Sequence, residues 1–313
     1  MTETQESKAK ALVVGEALID VVPGANGATK DFPGGSPMNV AVALGRLGRS
    51  VEFASWIGPD QRGELIEGHL AGSNVRLLEG SRAAARTPSA AVTLDQAGQA
   101  KYVFDLLWDF EAPATLAGVA VVHTGSLATV FPPGAAKVAR FLEDLKALPK
   151  RGPTVTFDPN LRPSVVPDPA AARPVIERLV AASDVAKASD EDLAYLYAGR
   201  DPERTAADWA QAGPSLIVLT RGAEGAKAWY AGGSAELPAR PAQVVDTVGA
   251  GDTFMAGLID GLWSQGLLWA ERRDRLAAIR ADQVLTAMDR AARAAAVTVS
   301  RAGADPPWAF ELP

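Results

Sequence analysis

No cysteine occurs among the 313 residues of the chain. That excludes disulfides, thiolate metal sites and a cysteine nucleophile. Histidine is almost as scarce. His69 and His123 stand far apart, in no spacing of a metal site or catalytic triad, and both are expected to be structural or incidental. No run of about 18 apolar residues is present, so no membrane span is expected. Met1 to Lys10 is polar and lacks the apolar core of a secretion signal, which fits a cytoplasmic protein. Positive charge is short as well, with a formal net charge of −6. A nucleic-acid backbone requires basic surface, so nucleic acid is not an expected partner. One local electropositive site for a small anion remains compatible with that balance. The phosphate loop GxxxxGK(S/T) is absent. So is the dinucleotide fingerprint, because the first apolar strand ends in Gly15-Glu16-Ala17 with a single glycine. That counts against a nicotinamide-dependent oxidoreductase.

What is present is an ordinary globular composition, 48% hydrophobic and 22% charged, on a chain long enough for a large core. Short apolar runs alternate with amphipathic stretches. Strands are expected at Ala11–Val14, Val51–Ile57, Val119–His123, Thr154–Phe157 and Leu216–Leu219. Helices are expected at Pro37–Leu47, Arg62–Ala71, Gly134–Leu148, Ala170–Ala182 and Gly251–Trp263. Ser36 reads as the cap of the first, with Pro37 as its first residue. Arg275–Ser300 reads as one long or two stacked alanine-rich helices. This rhythm predicts an α/β fold with a mostly parallel central sheet and helices on both faces. Two stretches break it, 19–32 and 90–104. Gly24, Asn26 and Gly27 punctuate the first, and Asp95 with Gly98 the second. Ala90–Leu94 and Ala100–Phe104 suggest a hairpin. Together they predict a small antiparallel β lid on a single domain spanning 1–313.

The most informative segment is Asp246-Thr247-Val248-Gly249-Ala250-Gly251-Asp252-Thr253-Phe254, which leads into an apolar helix. Small residues let a backbone approach a ligand closely. The N–H groups of Gly249, Ala250, Gly251 and Asp252 at a helix start, with the helix dipole behind them, suit an anion. Such a hole stabilises the charge of a phosphoryl group in transfer, and a neighbouring aspartate can take a proton from the attacking hydroxyl. The same pattern also fits a glycine-rich turn with Asp252 capping the helix.

The segment Asp246–Phe254 resembles the C-terminal signature of the ribokinase (PfkB-type) carbohydrate kinases. Gly34-Gly35-Ser36-Pro37-Met38-Asn39-Val40-Ala41 resembles their N-terminal signature, and Gly15-Glu16-Ala17-Leu18-Ile19-Asp20 their opening. The three lie in the family's order, and the resemblance covers roughly Ala11 to Pro307. It implies a ribokinase-like fold and an ATP- and magnesium-dependent sugar kinase. Asp252 then matches the base, with Gly249, Ala250 and Gly251 as the anion hole. Asp20, Gly35 and Asn39 match positions that hold sugar hydroxyls; the residue types alone would also allow a strand-end cap at Asp20 and an incidental polar group at Asn39.

The resemblance implies further positions. Arg162, in Asp158-Pro159-Asn160-Leu161-Arg162-Pro163, would lie near substrate and phosphate, with a structural ion pair as the alternative. Thr220, Gly222 and Gly225 would form the nucleotide loop, unless they are only a tight turn between strands; Gly251 would also face the phosphates. Ser189 and Asp192 match a magnesium-organising element that acts through water, although here serine and aspartate stand where the family has asparagine and glutamate. The same residues suit a helix cap. Asp246 and the carbonyl of Val248, with the loop at 300–303, would be candidates for a potassium-type monovalent ion. Phe104 of the lid would tune the sugar. The Ser-Pro-Met-Asn run and Asp158–Arg162 look most like bacterial fructokinases. Ribose, 2-keto-3-deoxygluconate, a nucleoside, and a non-catalytic sugar- or nucleotide-binding regulator stay open. A homodimer through the lid is the expected assembly.

Overall fold

A computed structural model describes residues 9–23, 28–94, 100–148 and 152–312. Gly24, Asn26, Gly27, Asp95 and Gly98, the expected turn residues of the lid, lie outside them.

The central sheet has nine strands. They are β1 (Lys10–Val14), β4 (Ser50–Ala54), β5 (Val75–Leu77), β8 (Val119–Gly125), β9 (Thr154–Asp158), β10 (Val185–Ser189), β11 (Leu216–Thr220), β12 (Ala226–Tyr230) and β13 (Gly233–Leu237). The order is β13-β12-β11-β10-β9-β8-β1-β4-β5. All pairings from β5 across to β11 are parallel, and the two pairings at the other edge, β11 with β12 and β12 with β13, are antiparallel. Alternation with period two sends successive side chains to opposite faces. Thus Ala11 and Val13 join one core, and Leu12 and Val14 the other.

The first core is covered by α1 (Ser36–Arg46), α7 (Ala250–Ser264) and α9 (Ala281–Val299). The opposite core is covered by α3 (Gly134–Ala147), α4 (Pro169–Ala182), α5 (Asp190–Leu196) and α6 (Pro202–Trp209). Helix α2 (Gln61–Ala71) packs beside α1, and the short α8 (Arg273–Ala277) precedes α9. The alanine-rich C-terminal stretch is therefore one short helix and one of 19 residues. Helices α7 and α9 approach closely. A side chain on Gly257 or Gly261 would begin 2.6 or 2.7 Å from the Cα of Ala291 or Ala287.

The lid is a separate four-stranded sheet, ordered β3-β2-β6-β7, of β2 (Leu18–Pro23), β3 (Thr29–Gly34), β6 (Ser89–Leu94) and β7 (Ala100–Asp105). The expected hairpin is present as β6 and β7, whose register pairs Ala90 with Phe104. The lid is not wholly antiparallel, however, because β2 pairs with β6 in parallel. The first strands of the two hairpins start side by side, Ile19 against Ser89, and run in the same direction. No helix among the described residues is long and apolar enough to cross a membrane.

Candidate active site

The carboxyl ends of β1, β8, β9, β10 and β11 share one edge of the sheet. Register places Gly125 of β8 beside Asp158 of β9, and Ser189 of β10 beside Thr220 of β11. In open parallel sheets this edge is where ligands bind. The starts of α1 and α7 face each other there, and the lid stands over them through β2 and β3.

Gly35 begins α1. Its φ of 114° and the 2.6 Å that would separate a Cβ from the Glu16 carbonyl both require glycine. Gly35, not Ser36, is therefore the cap, and its carbonyl accepts the N–H of Asn39 at 2.9 Å. The Ser36 hydroxyl is free of capping because it donates to Asp252 Oδ1 at 2.6 Å. Asn39 Nδ2 donates to Asp252 Oδ2 at 2.8 Å, and Asn160 Nδ2 donates to Oδ1 at 3.0 Å. Asn160 holds a left-handed φ of 34°, which aims its amide at the carboxylate. Asp252 itself lies in the first turn of α7 and is buried, so it does not cap the helix. A carboxylate offers about four acceptor positions. Two donors occupy Oδ1 and one occupies Oδ2, which leaves room on Oδ2 for one more proton.

Gly249 is the left-handed cap of α7, with φ 75°. The N–H of Ala250 turns back to the Thr247 carbonyl at 3.2 Å, so its place in an anion hole is already partly taken. The N–H groups of Gly251 and Asp252 sit in the first turn, where no intrahelical carbonyl reaches them.

Asp20 and Arg162 lie at the mouth. Asp20 is open to solvent on one side, but burial on the other raises its carboxyl above the ordinary range, and the charge of Arg162 works against that rise. Asp20 Oδ2 occupies the space where a Cβ on Gly34 would fall, 2.2 Å away. Arg162 is exposed, and its Nη1 donates to the carbonyl of Leu161 at 3.2 Å. Across the lid, Phe32, Asp20, Ala90 and Phe104 stand in one row. Phe104 packs with Leu18, Ala90 and Leu127.

The segment expected to carry nucleotide is a tight connection between β11 and the antiparallel β12. Arg221 N–H donates to the Gly225 carbonyl at 2.8 Å, and Gly222 and Gly225 have positive φ. A Cβ on Gly225 would begin 2.2 Å from the Leu237 carbonyl. Thr220 Oγ1 leans on the Ala188 carbonyl at 3.4 Å. The strand-to-strand turn is thus real, and it follows the carboxyl end of β11.

Ser189 and Asp192 form a reciprocal cap of α5. Asp192 Oδ2 accepts from the Ser189 N–H at 2.9 Å and from its hydroxyl at 2.7 Å, while Oδ1 accepts from the Leu161 N–H at 2.7 Å. Asp246 contacts the 300–303 loop. It accepts the N–H of Gly303 at 2.9 Å and of Val248 at 3.0 Å, and these donors hold its carboxyl below the usual range. Among the described residues no cluster of three His, Asp or Glu side chains forms a metal cage.

Four residues near the site were given no site role from the sequence. Besides Ser36 and Asn160, they are Glu16 and Lys187. Glu16 is buried and accepts the Ala128 N–H at 2.9 Å. Burial pushes its carboxyl up to about 7 against the pull of hydrogen bonds from its own backbone, Ser126 and Ala128, and the charge of Asp252 adds to the rise. Lys187, inside β10, pairs with Asp158 at 3.0 Å in full burial. His123 is buried with Nδ1 3.0 Å from Thr156 Oγ1, and burial lowers it to about 3, in keeping with a structural role.

Known proteins share both the pattern and the fold. A fructokinase of Klebsiella pneumoniae is 34% identical over 284 residues, covering 88% of this chain and 90% of the relative. A Vibrio cholerae fructokinase structure with fructose, ADP and a calcium ion bound matches with a TM-score of 0.76 at 26% identity, covering 95% of each chain. The fold extends to aminoimidazole riboside kinase from Salmonella enterica, complexed with aminoimidazole riboside and an ATP analogue. That structure has a TM-score of 0.74 at 23% identity over 97% of this chain and 98% of that one. The profile of the pfkB family carbohydrate kinases matches residues 8–309, from before β1 to beyond α9 and across every element of the site, and the chain belongs to that family.

Proposed function

We propose that this carbohydrate kinase transfers the γ-phosphoryl group of ATP to a hydroxyl of fructose, giving fructose 6-phosphate. The observation that carries the reading is the oriented carboxylate of Asp252, with one acceptor position left, beside the α7 N-terminus. The sugar hydroxyl gives its proton to Asp252 Oδ2 as its oxygen attacks the γ-phosphorus. The new O–P bond forms as the bond to the β-phosphate oxygen breaks, and ADP leaves with that electron pair. Ser36, Asn39 and Asn160 fix the direction of the carboxylate. The Gly249–Asp252 turn and the helix dipole meet the charge on the equatorial oxygens, chiefly through Gly251 and Asp252.

Asp20 and Asn39 supply an acceptor and a donor for neighbouring sugar hydroxyls, with Gly35 allowing close approach. Arg162 stands at the mouth for the phosphoryl side, and Phe104 lines the lid. Thr220, Gly222 and Gly225 border the nucleotide. Closing the lid excludes water, the competing acceptor. Half-exposed Val22, Phe32 and Val103 give the lid apolar surface for a homodimer.

Magnesium, when bound, neutralises phosphate charge. The donor set fits an ion carried by the ATP phosphates and its own waters, since three donors on Asp192 leave only one acceptor position, on Oδ1, for a metal-bound water. Asp246 and the Val248 carbonyl would border a monovalent ion in the same indirect sense.

The fructose assignment rests on the fructokinase relatives, and the regulator alternative has no use for an oriented base. A coupled ADP-release assay over fructose, ribose, 2-keto-3-deoxygluconate and adenosine tests both. Fructose is expected to give the highest kcat/KM by at least about 10-fold, a gap of roughly 1.4 kcal/mol in transition-state binding. Preference for another sugar overturns the fructose assignment, and no turnover of any sugar overturns the catalytic one.

A further inference from the structure

Phosphates approaching Gly251 meet an acidic surrounding. Asp252, Asp192 and Asp158 all act on one buried ammonium, that of Lys187. Three carboxylates beside a polyphosphate repel it, and a helix N-terminus offers only about half a positive charge in return. Besides Arg162 at the mouth, Lys187 places a second positive charge behind the turn. Its side chain is 3% exposed, and its Nζ lies 3.5 Å from where a Cβ on Gly251 would stand. Gly251 is exposed on its other side, toward the ligand edge. The ammonium thus sits directly behind the turn that faces the phosphates. Asp158, also buried, holds it there at 3.0 Å. A buried ion pair contributes little net stability compared with apolar residues of similar size. The location of this pair is therefore more informative than its bond.

We propose that Lys187 is a positioning residue of phosphoryl transfer, a buried cation whose field through Gly251 supports the charge that develops on the transferring group. The inference rests on the assignment of Asp252 and the Gly249–Asp252 turn. It does not require Lys187 to touch substrate.

The test compares Lys187→Met, Lys187→Met/Asp158→Asn and Asp252→Asn with the wild-type protein, measuring Tm, kcat and both KM values. If Lys187 only balances Asp158, removing both charges restores stability and turnover together. The proposal expects the double variant to recover Tm while kcat stays down by about 10- to 100-fold, the range for lost electrostatic support of a transition state, with the sugar KM little changed. Recovery of kcat to within about 3-fold of wild type overturns it. Should neither Lys187 variant fold, the wild-type protein decides. The 15N signal of the lysine ammonium slowest to exchange with water should shift on adding ADP with aluminium fluoride and sugar, and not with sugar alone. No shift overturns the proposal. Full activity in Asp252→Asn marks failure of the underlying site assignment, whatever Lys187 does.

Discussion

Three donors hold the Asp252 carboxylate. Asn160 offers the cleanest case, because glycine tolerates its φ of 34° and deletes only the amide. Asn160→Gly is expected to lower kcat about 10- to 100-fold, the weight of a hydrogen bond to a charged group, while Tm changes little. An unchanged kcat would show that Ser36 and Asn39 suffice to aim the base. Glu16 gives a prediction in pH. Its folded carboxyl titrates at about 7 and its free one at 4.5. The folded state therefore binds the extra proton between those values, and the associated stability is full below 4.5 and lost as pH rises through 7. Glu16→Gln stays neutral throughout. Its Tm relative to wild type should climb from pH 5 to pH 8, and a flat difference would contradict the buried, proton-holding carboxyl. Asp252, Asp20 and Asn39 were singled out in sequence because the short segments that hold them resemble the signatures of the carbohydrate kinases. Asn160 and Lys187 were not, since their partners are far away in the chain: the Asn160–Asp252 contact spans 92 positions. Ser36 misled because a serine before proline at a helix start has the composition of a cap. The cap went to Gly35, whose backbone alone fits under Glu16.

At the level of elements, the hairpin of β2 and β3 positions Asp20 by a contact between its own two strands. Asp20 Oδ2 lies over Gly34, where no side chain fits. A methyl group in Gly34→Ala would turn the flexible carboxylate away rather than break the strand. The expected outcome is a sugar KM raised by about 10-fold, one lost hydrogen bond, with the ATP KM and Tm nearly constant. An equal rise in both KM values would remove Asp20 from the sugar side. Helix positions were readable from apolar periodicity and flanking proline or glycine, and α3, α4 and α7 begin and end within a residue of expectation. Strand β10 was not expected. Its Val-Ala-Lys-Ala-Ser places a charged residue in the middle of a buried strand, a pattern that makes sense only once Asp158 is alongside.

For the whole molecule, alternation of strands and helices was enough to give the layered α/β architecture, because only helices on both faces can cover a parallel sheet. The mixed character of the lid was hidden, since parallel pairing of β2 with β6 joins segments about 70 residues apart, a separation that local patterns do not encode. That lid also carries the assembly prediction. Val103 is 50% exposed. If lids pair between subunits, sedimentation should show a dimer that Val103→Asp shifts toward monomer; a monomeric wild-type protein would rule out lid pairing. The account as a whole stands on Asp252 acting as the base. The direct measurement is kcat for Asp252→Asn at saturating ATP and fructose, with sugar binding followed by calorimetry. The account predicts a fall of at least about 10²-fold, as for loss of a general base, with fructose still bound. Turnover within about 10-fold of wild type would contradict it.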